Sequence, residues 1–153
     1  QNVINKMLNH KLCFFAGHGD ANGIYNENEE AVVSIHTTNY NFKNKGFYSV
    51  ACFCAQKLHQ HLKSLDLLFF VGYNNTFNVR GELTPFINSA LSGLKSFLNG
   101  DTLKVAKEKM IATYDDQISK LDETDPMAAV LLVHNKEALV FDGNDELLFS
   151  DLQ

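Results

Sequence analysis

Three short apolar runs, each closed by a glycine, a turn or a helical tract, constrain this chain's fold more than any other feature. The first, Lys11-Leu12-Cys13-Phe14-Phe15-Ala16, is closed by Gly17 and Gly19. The second, Phe47-Tyr48-Ser49-Val50-Ala51, leads directly into a helical stretch, and the third, Leu67–Val71, stops at Gly72. Runs this short and continuously apolar read as strands buried on both faces, the pattern of a parallel sheet. Between the second and third, Leu58, Leu62 and Leu65 recur at helical spacing and predict a helix over Cys54–Leu65. Thr84-Pro85 opens a second helix whose face is Phe86, Ile87, Ala90, Leu91, Leu94 and Leu98, and Asn99-Gly100 stops it. A third helix is expected from Thr102 to Leu121, with Val105, Ala106, Met110 and Ile111 inward.

The remaining stretches read as connections or edge strands. Asn22-Gly23 is a turn, Asn26–Glu30 and Asn39–Lys45 are polar loops, and Ala31–Ile35 is a short edge strand. Near the end, Ala128–Val133 and Ala138–Phe141 predict an antiparallel hairpin turning at His134-Asn135-Lys136-Glu137, with a last strand at Glu146–Phe149. Helices alternating with such strands make an α/β pattern with a mostly parallel central sheet, finished by an antiparallel C-terminal hairpin.

Composition narrows the class. At 153 residues the chain is one domain's worth, spanning 1–153, and long enough to bury a core without a staple. A content of 45% hydrophobic and 20% charged residues, with 2 prolines, excludes a disordered or collagen-like chain. The net charge is −5 with 13 Lys and Arg and no dense basic tract, which argues against a nucleic-acid backbone binder. Apolar runs such as Ala128–Val133 are too short for a membrane span. Three cysteines, an odd number, fit a reducing compartment, and the expected location is cytoplasmic. Because the sequence begins at Gln1 rather than Met, we read it as part of a longer polypeptide.

In an open α/β sheet ligands bind beyond the carboxyl ends of the strands. Two predicted strands end in reactive residues there, one in Gly17-His18-Gly19-Asp20 and the other in Cys52-Phe53-Cys54. If the two strands are parallel neighbours, His18 and Cys52 leave the sheet on one edge. Cys52 then lies at a strand-to-helix junction, where a helix amino end favours the thiolate. His18 is placed to move protons, and the amides of Gly19 and Cys52 are natural donors to an acyl-transfer oxyanion. Cys13, inside a strand, reads as core, and Asp20 reads as a cap on its loop.

The residues Phe14-Phe15-Ala16-Gly17-His18-Gly19, followed by Tyr48-Ser49-Val50-Ala51-Cys52, resemble the His-Gly and Ala-Cys signatures of caspase-like cysteine peptidases, most of all the CHAT branch. Asp66–Gly72 is similar to that family's next strand. Phe86, Phe97-Leu98-Asn99-Gly100, Ala106 and Met110 are similar to its helix pair, so the resemblance runs from Lys11 to Tyr114. It implies a caspase–hemoglobinase fold, a three-layer α/β/α sandwich, and thiol endopeptidase activity without metal or organic cofactor. His18 would be the catalytic histidine, Cys52 the nucleophile, and the Gly19 and Cys52 amides the oxyanion hole. It also implies a peptide or protein substrate and a place within a larger stress or antiphage assembly. The chain departs from the family in carrying Phe53-Cys54-Ala55 after the cysteine, where a small residue and a glycine are usual, and in lacking the fold's first strands and helix.

Three other readings compete. Cys52, Cys54, His59 and His61 spell C-x-C-x4-H-x-H, a possible zinc set. On a helix, however, His59 and His61 point about 200° apart. Cys52 and Cys54 also form a candidate redox pair, although with one intervening residue rather than two. The last alternative is a non-catalytic binding or scaffold domain.

Overall fold

The computed structural model of the protein describes residues 9–38 and 41–153, which divide into two compact units. The first runs to Thr76 and takes back Leu139–Gly143 and Asp151–Gln153; the second holds Phe77–Ala138 and Asn144–Ser150. The fold is mixed α/β, with a mostly parallel central sheet, further antiparallel strands and, among the described residues, four α-helices.

The first unit is built on the three apolar runs. Strands β1 (Leu12–Ala16), β5 (Gly46–Val50) and β6 (Phe69–Tyr73) lie side by side and parallel, and β7 (Leu139–Gly143) closes the order β1-β5-β6-β7 antiparallel to β6. Cys13, Phe47 and Phe70 are neighbours across the first three strands and belong to one buried cluster. The rings of Phe47 and Phe70 stack at 5.7 Å and 4°. Helix α1 (Lys57–Ser64) adds Leu58 and Leu62 to this cluster. A small antiparallel sheet of β2 (His18–Gly19), β3 (Gly23–Tyr25) and β4 (Ala31–Ser34) adds Ile24 and Val33. The edge strand expected at Ala31–Ile35 is therefore β4. Strands β2 and β3 were expected as loop, because two- and three-residue strands are too short to show a period. The loop expected over Asn39–Lys45 lies outside the described residues at positions 39–40.

Helix α1 starts at Lys57, not Cys54; residues 52–56 are a succession of turns. Phe53 there has a left-handed backbone (φ +56°), which a right-handed helix cannot accommodate. The leucine period was thus a sound signal for the helix and a poor one for its start.

The second unit comprises α2 (Thr84–Leu98), α3 (Leu103–Leu121) and α4 (Pro126–Ala138), with α3 packed on both others. Helix α2 begins with Pro85 in its first turn and gives way at Gly100 (φ +99°), a conformation suited to glycine. Its buried residues are Pro85, Phe86, Ser89, Ala90, Gly93, Ser96 and Phe97, whereas Ile87 and Leu98, expected on the inner face, are half exposed. Helix α3 starts where Thr102 Oγ1 accepts the Val105 N–H at 3.3 Å, and it buries Ala106, Met110 and Tyr114.

The C-terminal hairpin is corrected. Ala128–Val133 and the expected turn at residues 134–137 form one continuous helix, α4, so β7 is a single strand with no hairpin partner from that run. A short apolar run carries no period that separates a buried strand from a buried helix. The start signal lay just upstream: Asp125 Oδ1 accepts the Ala128 N–H at 3.1 Å, and Pro126 occupies the first turn. Asn135, taken for a turn residue, is fully buried, and its amide pairs in both directions with the Asn78 main chain, at 2.7 and 2.8 Å. The strand expected at Glu146–Phe149 is also absent; a 3-10 turn follows at Phe149–Asp151. No helix among the described residues is long and apolar enough to cross a membrane.

Gly46 shows how tightly the sheet is filled. It is the cross-strand partner of Phe69, and a Cβ at Gly46 would overlap the Phe69 ring, which is almost wholly buried. Gly46→Ala is expected to destabilise the fold by about 1–3 kcal/mol through overpacking, measured as a lower urea midpoint. Phe69→Leu in the Gly46→Ala background should recover part of the loss.

Candidate functional site

Strands β1 and β5 pair from Leu12↔Gly46 to Ala16↔Val50, so their carboxyl ends emerge together. The Gly17 N–H donates to the Val50 carbonyl at 3.2 Å just beyond the paired residues. His18-Gly19 then turns into the small sheet, opposite Tyr25 and Ile24, while β5 continues into Ala51-Cys52. Gly19 comes to rest against the Cys52 main chain. A Cβ at Gly19 would lie 2.7 Å from the Cys52 carbonyl oxygen, 2.9 Å from the Ala51 methyl and 3.4 Å from the Cys52 nitrogen. Only glycine fits this approach without moving backbone. The Asp20 N–H donates to the Gly23 carbonyl at 3.0 Å. Hydrogen-bonded and non-bonded pairs alternate along an antiparallel ladder, so the neighbouring Gly19↔Ile24 pair is a non-bonded one and the Gly19 N–H is directed away from β3.

Beside this junction is a cleft of about 500 Å³ lined by His18, Gly19, Asp20, Tyr25, Glu27 and Glu29 among others. His18 is exposed and Cys52 half-buried. The Asp20 carboxylate accepts the N–H groups of Asn22 and Gly23 at 2.7 and 2.9 Å and the Tyr25 hydroxyl at 3.2 Å, so it caps the turn as its sequence position suggested. Burial, and then the Asp20 charge beside it, push the Tyr25 phenol above its ordinary pKa.

The two neighbouring thiols are sharply different. Cys54 is fully buried, donates from Sγ to the Ala51 carbonyl at 3.1 Å, and has its pKa raised by burial above all. Burial likewise raises Cys13, which sits in the core as expected. A buried thiol held protonated is a poor nucleophile, which leaves Cys52 as the candidate. One part of the sequence argument is corrected: Cys52 does not sit on a helix amino end, because residues 53–56 separate it from α1 and the helix field is confined to the first turn. The turn is instead held by main-chain bonds, Phe53 N–H to Asn75 O and Ala55 N–H to Tyr73 O at 3.0 Å each, and by Gln56 Nε2 to Asn74 O at 2.8 Å.

The structure does not assemble the C-x-C-x4-H-x-H set. Cys54 is in the core; His59 Nε2–H donates to Asp142 Oδ2 at 2.8 Å, and His61 Nε2–H donates to the Thr37 carbonyl at 3.0 Å. Among the described residues, no three His, Cys, Asp or Glu side chains come together as a metal-binding group. No family model matches the chain, and no curated protein matches it.

Sequence reasoning missed Asp142. It lies across the sheet from Phe70, whose ring stacks on His59 at 4.6 Å, and it also accepts from Lys63 Nζ at 2.7 Å. Nothing local in the sequence announces the pairing, because α1 and β7 lie far apart along the chain. The Lys63 hydrogen bond, outweighing desolvation and helped by His59, holds the Asp142 carboxyl below its ordinary value of 3.8. A carboxyl depressed in the folded state stabilises the fold above its unfolded pKa, and that contribution is lost as pH falls through the folded pKa. Asp142→Asn should therefore cost about 1 kcal/mol or less at neutral pH, the range for a solvent-screened pair. The gap between the two proteins should close as urea unfolding is repeated down through the carboxylate range.

Proposed function

We propose that the protein is a cysteine endopeptidase of caspase-like, CHAT type, with a three-layer α/β/α architecture and a Cys52–His18 dyad. The observation that carries this reading is the close packing of Gly19 on the Cys52 main chain at the shared carboxyl edge of β1 and β5. His18 and Gly19 line the cleft, and the half-buried Cys52 follows the strand against whose end Gly19 packs.

In this reading the Cys52 thiolate attacks the scissile carbonyl carbon, and the oxyanion accepts hydrogen bonds from the Gly19 and Cys52 amides. His18 gives a proton to the leaving amine as the intermediate collapses to a thioester. It then takes a proton from water, whose oxygen attacks the thioester; the second collapse releases the new carboxylic acid and restores the thiol. No step requires a metal or organic cofactor. The substrate is a peptide or protein, and the chain serves as a protease module of a larger regulated assembly, in stress or antiphage defence, in the cytoplasm.

The test is intact-mass labelling with limiting iodoacetamide across pH, which needs no substrate or activating partner. One fast adduct is expected, absent in Cys52→Ala, retained in Cys54→Ala and slowed in His18→Ala. Uniformly slow labelling indifferent to His18→Ala would leave a non-catalytic binding or scaffold domain. Where peptide cleavage is detected, His18→Ala should lower it by about 10²- to 10⁴-fold. Asp20, Glu27 and Glu29 line the cleft. Peptides with Lys or Arg near the scissile bond should therefore be cut in preference to their Asp or Glu counterparts, a difference that salt narrows.

A further inference from the structure

Phe53 has a conformation that its side chain does not explain. Among the described residues, the other non-glycine positions with positive φ are Glu29, Asn44 and Asp66, all polar and all in loops. A short polar side chain such as Asn or Asp can support the left-handed region by bonding locally; an aromatic side chain cannot, so the surroundings must hold Phe53 there. They do so from both sides. The Phe53 N–H donates to the Asn75 carbonyl at 3.0 Å. On the next residue the Cys54 thiol donates to the Ala51 carbonyl at 3.1 Å, and it fits because position 72 is glycine, where a Cβ would approach Sγ to 2.8 Å. The kink thus has an anchor on each side of the Phe53 Cα, and burial changes along the same few residues. Ala51 is 1% exposed and Cys54 0%, yet Cys52 between them is only half-buried.

We propose that Phe53 is a positioning residue whose left-handed backbone turns the chain immediately after Cys52 and so keeps that residue half-buried instead of drawn into the core with Ala51 and Cys54. The proposal rests on the reading of Cys52 as the nucleophile. The backbone matters here, not the ring. Glycine and asparagine tolerate the left-handed region, whereas a β-branched valine resists it.

The experiment measures the pH profile of Cys52 alkylation by iodoacetamide, together with thermal melting, in the full chain and its Phe53→Gly, Phe53→Asn and Phe53→Val variants. Phe53→Gly and Phe53→Asn are expected to keep the wild-type rate and profile. Phe53→Val is expected to slow Cys52 alkylation on the order of tenfold or more, the scale of a misplaced reacting group. A folded Phe53→Gly that labels as slowly as expected for Phe53→Val overturns the proposal, since the ring and not the turn would then matter; this holds even where Phe53→Val fails to fold. Wild-type labelling by a folded Phe53→Val, with only its melting lowered, overturns it as well by making the role purely structural. If wild-type Cys52 labels no faster than it does in the urea-unfolded protein, the nucleophile reading itself falls and the positioning role falls with it. That outcome is told apart because it appears before any variant is made.

Discussion

The parallel pairing of β1 with β5 is the constraint on which the first unit depends. Its register places Cys13 beside Phe47, and Phe47 beside Phe70 on the next strand, so that a single apolar row meets Leu58 and Leu62 of α1. A slip of one residue would turn each of these side chains to the opposite face, which makes the register costly to change. The same register ends both strands together at Ala16 and Val50. From that point, core packing and site geometry are one problem. The pairing that buries Cys13 and Phe47 also delivers Gly19 to within a methyl group's distance of the Cys52 main chain.

Three cysteines occupy three environments within this unit, and the backbone decides which is which. Cys13 points into the sheet's buried row, and Cys54 is drawn under the sheet by its bond to Ala51 and by the space at Gly72. Both thiols are pushed toward their protonated form by burial. Cys52 escapes that fate although Ala51 before it and Cys54 two residues on are buried. The distinction comes from chain direction over a few residues, since the residue type is the same at all three positions.

How much of this was legible in the sequence varies with the range of the interaction concerned. Strands β1, β5 and β6 were readable because each is apolar on both faces, and α2 because Pro85 and Gly100 punctuate it. The strand ends pointed to His18, Gly19 and Cys52 for the same reason. Helix α4 was misread because Ala128–Val133 is too short to show a period, and the capping Asp125 was passed over in favour of a turn at Asn135. Asn135 does behave as a main-chain substitute, but it satisfies the Asn78 backbone from within a helix. The left-handed φ of Phe53 and the convergence of His59, Lys63 and Asp142 were beyond reach, because each is imposed by residues distant in sequence.

Strand β7 belongs to the first unit yet follows all three helices of the second along the chain. A ribosome making this polypeptide releases β6 long before its antiparallel neighbour exists, and α2, α3 and α4 must emerge first. Until then the Phe69–Tyr73 edge presents unpaired amides on an apolar strand, the kind of surface that recruits other nascent chains. The carboxylate that fastens α1 through His59 and Lys63 also arrives only with that final strand. The helical unit is in effect a delay line in the sheet's assembly, and the time it takes to be synthesised sets how long the growing chain is open to mispairing.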